Sequence, residues 1–399
     1  MDPILIAFQV CLAVYLSMLL WFLAGLFKAD PLRNEDLPMV SIIVAARAGN
    51  ENLRRLVPQL QAQHYPASEL EIIIADDGLS IGLVEYLEDV AREDTRIKQV
   101  NSSVGDARLN YKKRALDAAI KSSRGELLVF TDADCQVGSM WVRTLVSYFR
   151  PGIDYVVGWT QVGTGSRISG DEPLVLPNRA LTIFEQIDFL MLMLAARGTI
   201  MQGIALASSG QNQAYRRSVY EQTGGLIDLA KHTQGDDSLY LRLARRKARA
   251  GITFAVDSAA NVVTDPLTTV ADLLRQRFRW AGDAAAMWRY NPAFLPLGLA
   301  TYGANVLLLV LISMSFVSPG TVLPILIPGI ILKILLEGVF LWIGTGKTGT
   351  ARLRRYFPLW SLLQIPYVTL TGLGGLLGSS RPWREPRGGK KKVMAHEKG

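Results

Sequence analysis

The sequence predicts an α/β fold, a mostly parallel Rossmann-like sheet, carried between apolar helices at both ends of the chain. Three observations predict it. Between about residues 37 and 290, short β-rich runs alternate with amphipathic stretches, the pattern of parallel strands joined by crossover helices. Two of those runs end in paired carboxylates. Apolar residues make up 49% of the 399 residues and concentrate at the ends, a share that suggests part of the chain sits in lipid.

Taken in order, residues 4–27 hold no charged residue and are long enough to cross a bilayer as a helix. The stretch lacks the basic start and small-residue cleavage site of a signal peptide, so it reads as an anchor. Lys28 and Arg33 follow it, placing the next segment in the cytoplasm by the positive-inside rule. "MVSIIVAAR", "LEIIIADDG" and "ELLVFTDAD" then read as strands, with helices over 51–63, 81–92 and 112–122.

Three more apolar stretches, 292–317, 321–344 and 357–378, contain only Lys333 and Glu337 as charges. These two are four apart and are expected to pair on one helix face. Three full crossings would put the Lys-rich tail outside, against the basic loop "GKTGTARLRRY". Pro366, Gly372, Gly374, Gly375 and Gly378 weaken a helix over the last stretch. It is therefore expected to be a re-entrant or interfacial hairpin, with the tail cytoplasmic.

The net charge is +8, and the tail 381–399 alone carries seven Lys/Arg against two Glu. Beside an apolar stretch, that charge points to anionic lipid headgroups and away from nucleic acid. The two cysteines, Cys11 and Cys135, form no disulfide framework or metal cluster and fit a reducing cytoplasm.

Ligands of open parallel sheets bind beyond the carboxyl ends of the strands. There the sequence places Asp76 and Asp77 of "IIIADDG", and Asp132 and Asp134 of "LLVFTDADC". Such residues can simply cap helices, but two pairs at equivalent strand ends predict one shared crevice. Hard Mg2+ or Mn2+ ions take oxygen ligands, often one or two carboxylates plus substrate phosphates. Other chemistries fit poorly. Haloacid-type phosphatases need Thr or Val where Gln136 stands, and a phosphate loop at "GTGKTG" would need Gly at Leu341. No Gly-x-Gly-x-x-Gly follows an early strand.

Two further stretches complete a pattern: "QGDDSLYLRLARR" with Asp236 and Asp237, and "LLRQRFRWAGD" with Gln276, Arg279 and Trp280. With "ADDG", "TDADC" and "SSGQNQAYRR", the chain resembles the membrane-attached family 2 glycosyltransferases, a branch that includes ceramide glucosyltransferase and the cellulose, chitin and hyaluronan synthases. The resemblance covers about residues 38–280. It implies a GT-A fold, a nucleotide-sugar donor and inversion at the anomeric carbon by a metal-dependent hexosyltransferase.

By that resemblance Asp76 and Asp77 meet the base and ribose of the nucleotide, Asp134 holds Mg2+ or Mn2+, and Asp132 lies near ribose or sugar. Asp237 is the general base. Chemistry agrees, since displacing a nucleoside diphosphate needs a proton acceptor and positive charge on the leaving group, the latter including Arg279. Gln276 and Trp280 face the acceptor, the indole offering a flat surface. "YKKRAL" resembles the family's Gly-Lys-x-x-Ala-Leu, putting Lys112 near the donor although Tyr111 replaces the Gly. "AARAGNENL" departs from Ala-Arg-Asn-Glu at Ala48 and Gly49. His64 and His232 have no ligand-spaced partners.

The expected division is an anchor (1–27), a GT-A domain (28–290), a membrane region of two or three spans (291–380) and a basic tail (381–399). The protein is expected to be integral to the membrane, the inner membrane in a bacterium, with a UDP-sugar as donor and a membrane lipid or glycan as acceptor. A processive polysaccharide synthase uses the same chemistry but usually needs more spanning helices. A catalytically inactive scaffold would be free to lose Asp77, Asp134, Asp237 and Trp280.

Overall fold

Strand runs and amphipathic stretches form the elements that their composition dictates. The computed structural model describes residues 2–47, 51–163, 178–232, 235–290, 292 and 294–376. Ala48, Gly49 and the basic tail lie outside them. The strands are β1 (Val40–Ala46), β2 (Leu70–Asp76), β3 (Ile97–Asn101), β4 (Leu127–Asp132), β5 (Cys135–Val137), β6 (Tyr155–Gly158), β7 (Thr160–Val162), β8 (Gln213–Arg216), β9 (Ile252–Ala255) and β10 (Val262–Thr264). The helices are α1 (Pro3–Leu26), α2 (Leu53–Gln61), α3 (Ile81–Glu93), α4 (Tyr111–Ser122), α5 (Trp141–Val146), α6 (Arg179–Met201), α7 (Arg217–Thr223), α8 (Ser238–Lys247), α9 (Val270–Tyr290), α10 (Phe294–Ser315), α11 (Pro319–Thr348) and α12 (Phe357–Leu376).

The main sheet runs β3-β2-β1-β4-β8-β6-β9, and β5, β10 and β7 form a small second sheet. Pairing is parallel across β3-β2-β1-β4 and between β6 and β9. β8 runs antiparallel to both neighbours. Its first residue, Gln213, pairs with Phe130 near the end of β4, so the chain enters β8 at the carboxyl edge of the parallel strands. That reversal carries the preceding segment, 208–212, to the ligand edge.

Both faces of the sheet are buried, as parallel strands with helices on each side require. Val40, Ile42 and Val44 pack with Leu56, Leu87 and Trp141 on one face. Ile43, Leu128 and Phe130 belong to a core that continues without a break through Leu194 of α6 to Phe8, Leu308 and Leu326 of the terminal helices. Each such side chain, fully buried, contributes roughly 1.5–3 kcal/mol. The sheet and the terminal helices are thus one packed body.

α1, α10 and α11 are long and apolar enough to cross a membrane. Lys333 and Glu337 pair within α11 at 2.7 Å, fully buried. Tyr15 and Gln364 also donate to the Glu337 carboxylate, at 2.5 and 3.1 Å. The last apolar stretch differs from expectation, since α12 is one helix through Pro366 and does not fold back within the described residues. Its glycines serve close approach: a Cβ on Gly372 would lie 2.3 Å from the Tyr302 ring, and one on Gly374 2.4 Å from Phe278. Neighbouring helices hold α12 together despite the missing proline donor.

α1 meets α6 through a similar contact, where a Cβ on Gly198 would stand 2.4 Å from the Phe22 carbonyl oxygen. Gly198→Val is therefore expected to destabilise the protein by about 1–3 kcal/mol through overpacking. Thermal unfolding in detergent checks this against Gly298→Ala, a site with open space. Equal melting temperatures for the two variants would show that the α1–α6 contact is not tight.

Candidate active site

Register sets the site. Ala46 of β1 pairs with Asp76 and Ala45 with Asp132, so the two aspartates stand at the same edge, two strand spacings or about 10 Å apart. Both sequence-predicted carboxylate pairs therefore start from one edge of the sheet.

The first pair divides its work. Asp76 Oδ1 accepts from the Gly78 and Leu79 amides at 2.8 and 2.7 Å, and Oδ2 accepts from Gln99 at 2.9 Å. This carboxylate builds the turn, helped by Gly78 at φ +93°. Asp77 accepts from Ser102 at 3.1 Å and faces Arg47, whose pKa is lowered by burial and partly restored by Asp77.

Lys112 is the centre of the second group. Its ammonium lies 2.7 Å from Asp132 and 3.0 Å from Asp236. Burial alone would lower its pKa, but those two carboxylates hold it well above the ordinary lysine value. Asp236 is correspondingly lowered despite its burial. The next lysine, buried Lys113, donates to the His232 carbonyl just before the Asp236 turn. Adjacent lysines on α4 therefore fix the loop that carries Asp236 and Asp237. Tyr111, at the position where the family pattern has Gly, adopts φ +52°, a left-handed conformation that costs a bulky residue energy.

Asp237 caps α8, its carboxylate accepting from the Ser238 amide. The segment delivered by β8 lies alongside: Ser208 and Ser238 exchange hydrogen bonds at 3.1 Å, and Gln213 donates to the Asp236 carbonyl at 3.0 Å. Gly210 leaves the crevice open, since a Cβ there would stand 3.4 Å from Asp236 Oδ2 and 3.5 Å from Lys112 Nζ. α9, bearing Gln276, Arg279 and Trp280, packs on α8 and α12. Both Arg279 and Trp280 are half-buried. One face of Trp280 is already covered by the Arg277 guanidinium, 4.1 Å from the ring centroid.

Asp265 is a site residue that motif reading missed. It follows β10, whose Thr264 pairs with Cys135, and its carboxylate takes Arg55 at 2.8 Å and Gln136 at 3.4 Å. The signal was "VVTD", a third strand ending in Asp. Burial, with Asp132 and Asp265 nearby, pushes the Asp134 carboxyl up to about 6. This excess of negative charge beyond what Lys112 offsets suits a divalent cation. Among the described residues no group of three or more His, Cys, Asp or Glu could hold a metal ion; Asp134 and Asp265 are two neighbouring carboxylates of the kind that Mg2+ and Mn2+ accept beside substrate phosphates.

Residues 41–224 match the family described as Glycosyl transferase family 2. That match covers a little under half of the chain. Glycosyltransferase AglE of Haloferax volcanii is 24% identical over 255 residues, 63% of this chain and 75% of that protein. Beta-monoglucosyldiacylglycerol synthase of Trichormus variabilis is 30% identical over 115 residues, 29% of this chain and 24% of the synthase, so about a quarter of that protein is matched. A mannosyltransferase of Pyrobaculum calidifontis, PcManGT, solved with GDP-Man and Mn2+, superposes at a TM-score of 0.56 with 16% identity over 91% of this chain and 98% of its own. The domain that carries the site shares that neighbour's fold, the GT-A fold.

Within this domain, Lys112→Met would leave two partly buried carboxylates facing each other. The expected cost is about 3 kcal/mol, read as a lower denaturation midpoint, and Asp236→Asn in the same chain should recover part of it. An unchanged midpoint for Lys112→Met would show that the lysine does not join the two motifs energetically.

Proposed function

We propose that the protein is an inverting, metal-dependent glycosyltransferase that moves a hexose from a nucleoside diphosphate sugar to a membrane lipid. The observation that carries this reading is the pairing of Asp132 and Asp236 on Lys112, which brings their chain neighbours Asp134 and Asp237 to one place in a domain whose core is continuous with apolar helices. A relative named as a glucosyldiacylglycerol synthase and a fold neighbour solved with GDP-Man and Mn2+ support it.

In this reading Asp77 meets the nucleoside, while Asp76 shapes the turn that presents it. Asp134, with Asp265 beside it, would hold a divalent cation that would supply positive charge to the diphosphate. Lys112 and Arg279 add fixed positive charge towards the leaving group. Asp237 takes the proton of the acceptor hydroxyl as its oxygen bonds to the anomeric carbon and the bond to the diphosphate breaks. Asp236, held by Lys112, stays ionised and keeps Asp237 in register. Gln276 and Trp280 receive the acceptor.

The decisive assay incubates the purified protein with labelled UDP- and GDP-sugars and membrane lipids. A metal-dependent glycolipid is expected, lost with excess chelator. Asp237→Asn should cut transfer about 100-fold to 10,000-fold with donor affinity retained. Polymer would favour a processive synthase, and no product would favour a scaffold. A mutant that loses nucleotide affinity yet keeps turnover at saturation would make Asp237 a binding residue.

In this reading α1, α10 and α11 are the spans, and the basic residues that follow α1 and α11 face the cytoplasm with the domain and the tail. Lys347, Arg352 and Arg355 are exposed at the end of α11, and Lys347 lies over the Phe27 ring. Cations beside aromatic rings suit anionic lipid headgroups. Faster turnover in anionic than in zwitterionic nanodiscs would support this contact. With Gly399→Cys in a Cys-free background, an impermeant thiol reagent should label the tail only after cells are permeabilised. Labelling of intact cells would place it outside.

A further inference from the structure

Arg277 sits between the two acceptor residues of its own helix, yet no ligand role falls to it. It is 5% exposed, and a guanidinium that deep needs partners. Asp188 of α6 supplies the charge, its Oδ2 lying 2.9 Å from Nε and 2.8 Å from Nη2. Tyr367 of α12 accepts from Nε at 2.8 Å and donates to the same Asp188 oxygen at 3.1 Å. Nη1 donates to Gln276 Oε1 at 2.5 Å, and the guanidinium stacks on Trp280.

We propose that Arg277, clamped by Asp188 and Tyr367, is a positioning residue that sets the orientation of both Gln276 and Trp280. Arginine has only donors, so the Gln276 carbonyl oxygen must face it and the amide nitrogen must face away. The stacked guanidinium fixes one side of the indole, while Phe189 meets the ring at 5.9 Å. A buried ion pair adds less stability than apolar packing would, so its presence beside the acceptor residues fits orientation better than stability. α12 ties the arrangement to the bundle, because Gln364, three residues before Tyr367, donates to Glu337 of α11.

The functional half of this inference rests on the acceptor reading of Trp280, and the test separates the two. The full chain is labelled with 5-fluorotryptophan in detergent, and the Trp280 resonance is assigned with Trp280→Phe. Tyr367→Phe removes one hydroxyl and keeps the ring on Phe184, 5.1 Å away. It should shift or broaden the Trp280 signal and leave the other indole signals in place, as should Asp188→Asn. An unmoved Trp280 signal in both variants overturns the inference, whatever the activity.

With UDP-glucose and dioleoylglycerol as probes, Tyr367→Phe should raise the KM for dioleoylglycerol about tenfold, part of the roughly 100-fold that a 1 Å misplacement can cost. The KM for UDP-glucose should stay within about twofold, as should both constants if the hydroxyl merely stabilises the fold. If Trp280→Phe leaves the dioleoylglycerol KM unchanged, or the wild type does not turn over this pair, the acceptor reading fails. The fluorine signal then still decides whether Arg277 positions the indole.

Discussion

The site depends on a single ammonium. Lys112 reaches Asp132 at the end of β4 and Asp236 in the turn before α8, two segments more than a hundred residues apart in the chain. Desolvation opposes the charge on Asp236, and the lysine beside it holds that carboxyl below the ordinary range. The same ammonium bridges the two carboxylates and sets the distance between them. Everything delivered to the crevice is referred to this point: Asp134 lies two residues beyond one partner, Asp237 next to the other, and Gly210 over the cation.

The arrangement also uses strain. Tyr111 takes a left-handed conformation at the residue immediately before Lys112, and Lys113, immediately after, donates to the His232 carbonyl. Three consecutive residues thus aim one side chain, at a backbone cost that their partners must offset. A sequence comparison alone makes the loss of the family's Gly look like a weakened motif. Tyr111 nonetheless adopts a conformation of the kind that favours glycine, and Lys112 projects into the site.

Local pattern made the sheet and the strand-end carboxylates legible, because short continuous apolar runs and the carboxyl-end rule act within a few residues. Asp265 was legible by the same rule but follows a three-residue strand, too short to register as a run. Arg277 and Asp188 could not be found this way, since their pairing joins α9 to α6 and depends on tertiary packing. The hairpin expected over 357–378 failed for a related reason. Proline and glycine penalties are measured in isolated helices, whereas the glycines of α12 lie where Tyr302 and Phe278 approach.

The Lys333–Glu337 pair extends this logic into the apolar bundle. A pair four residues apart on one helix could satisfy itself and face no one. Here it does not, because Tyr15 of α1 and Gln364 of α12 also donate to the Glu337 carboxylate. Three helices therefore converge on one buried carboxylate, where an unsatisfied polar atom is costly. Apolar packing is non-directional and alone would let α12 rotate or slide over α11 at little cost. A hydrogen bond to a buried carboxylate has one geometry. It fixes the rotation of α12, and with it the side from which Tyr367, one turn further on, reaches Arg277.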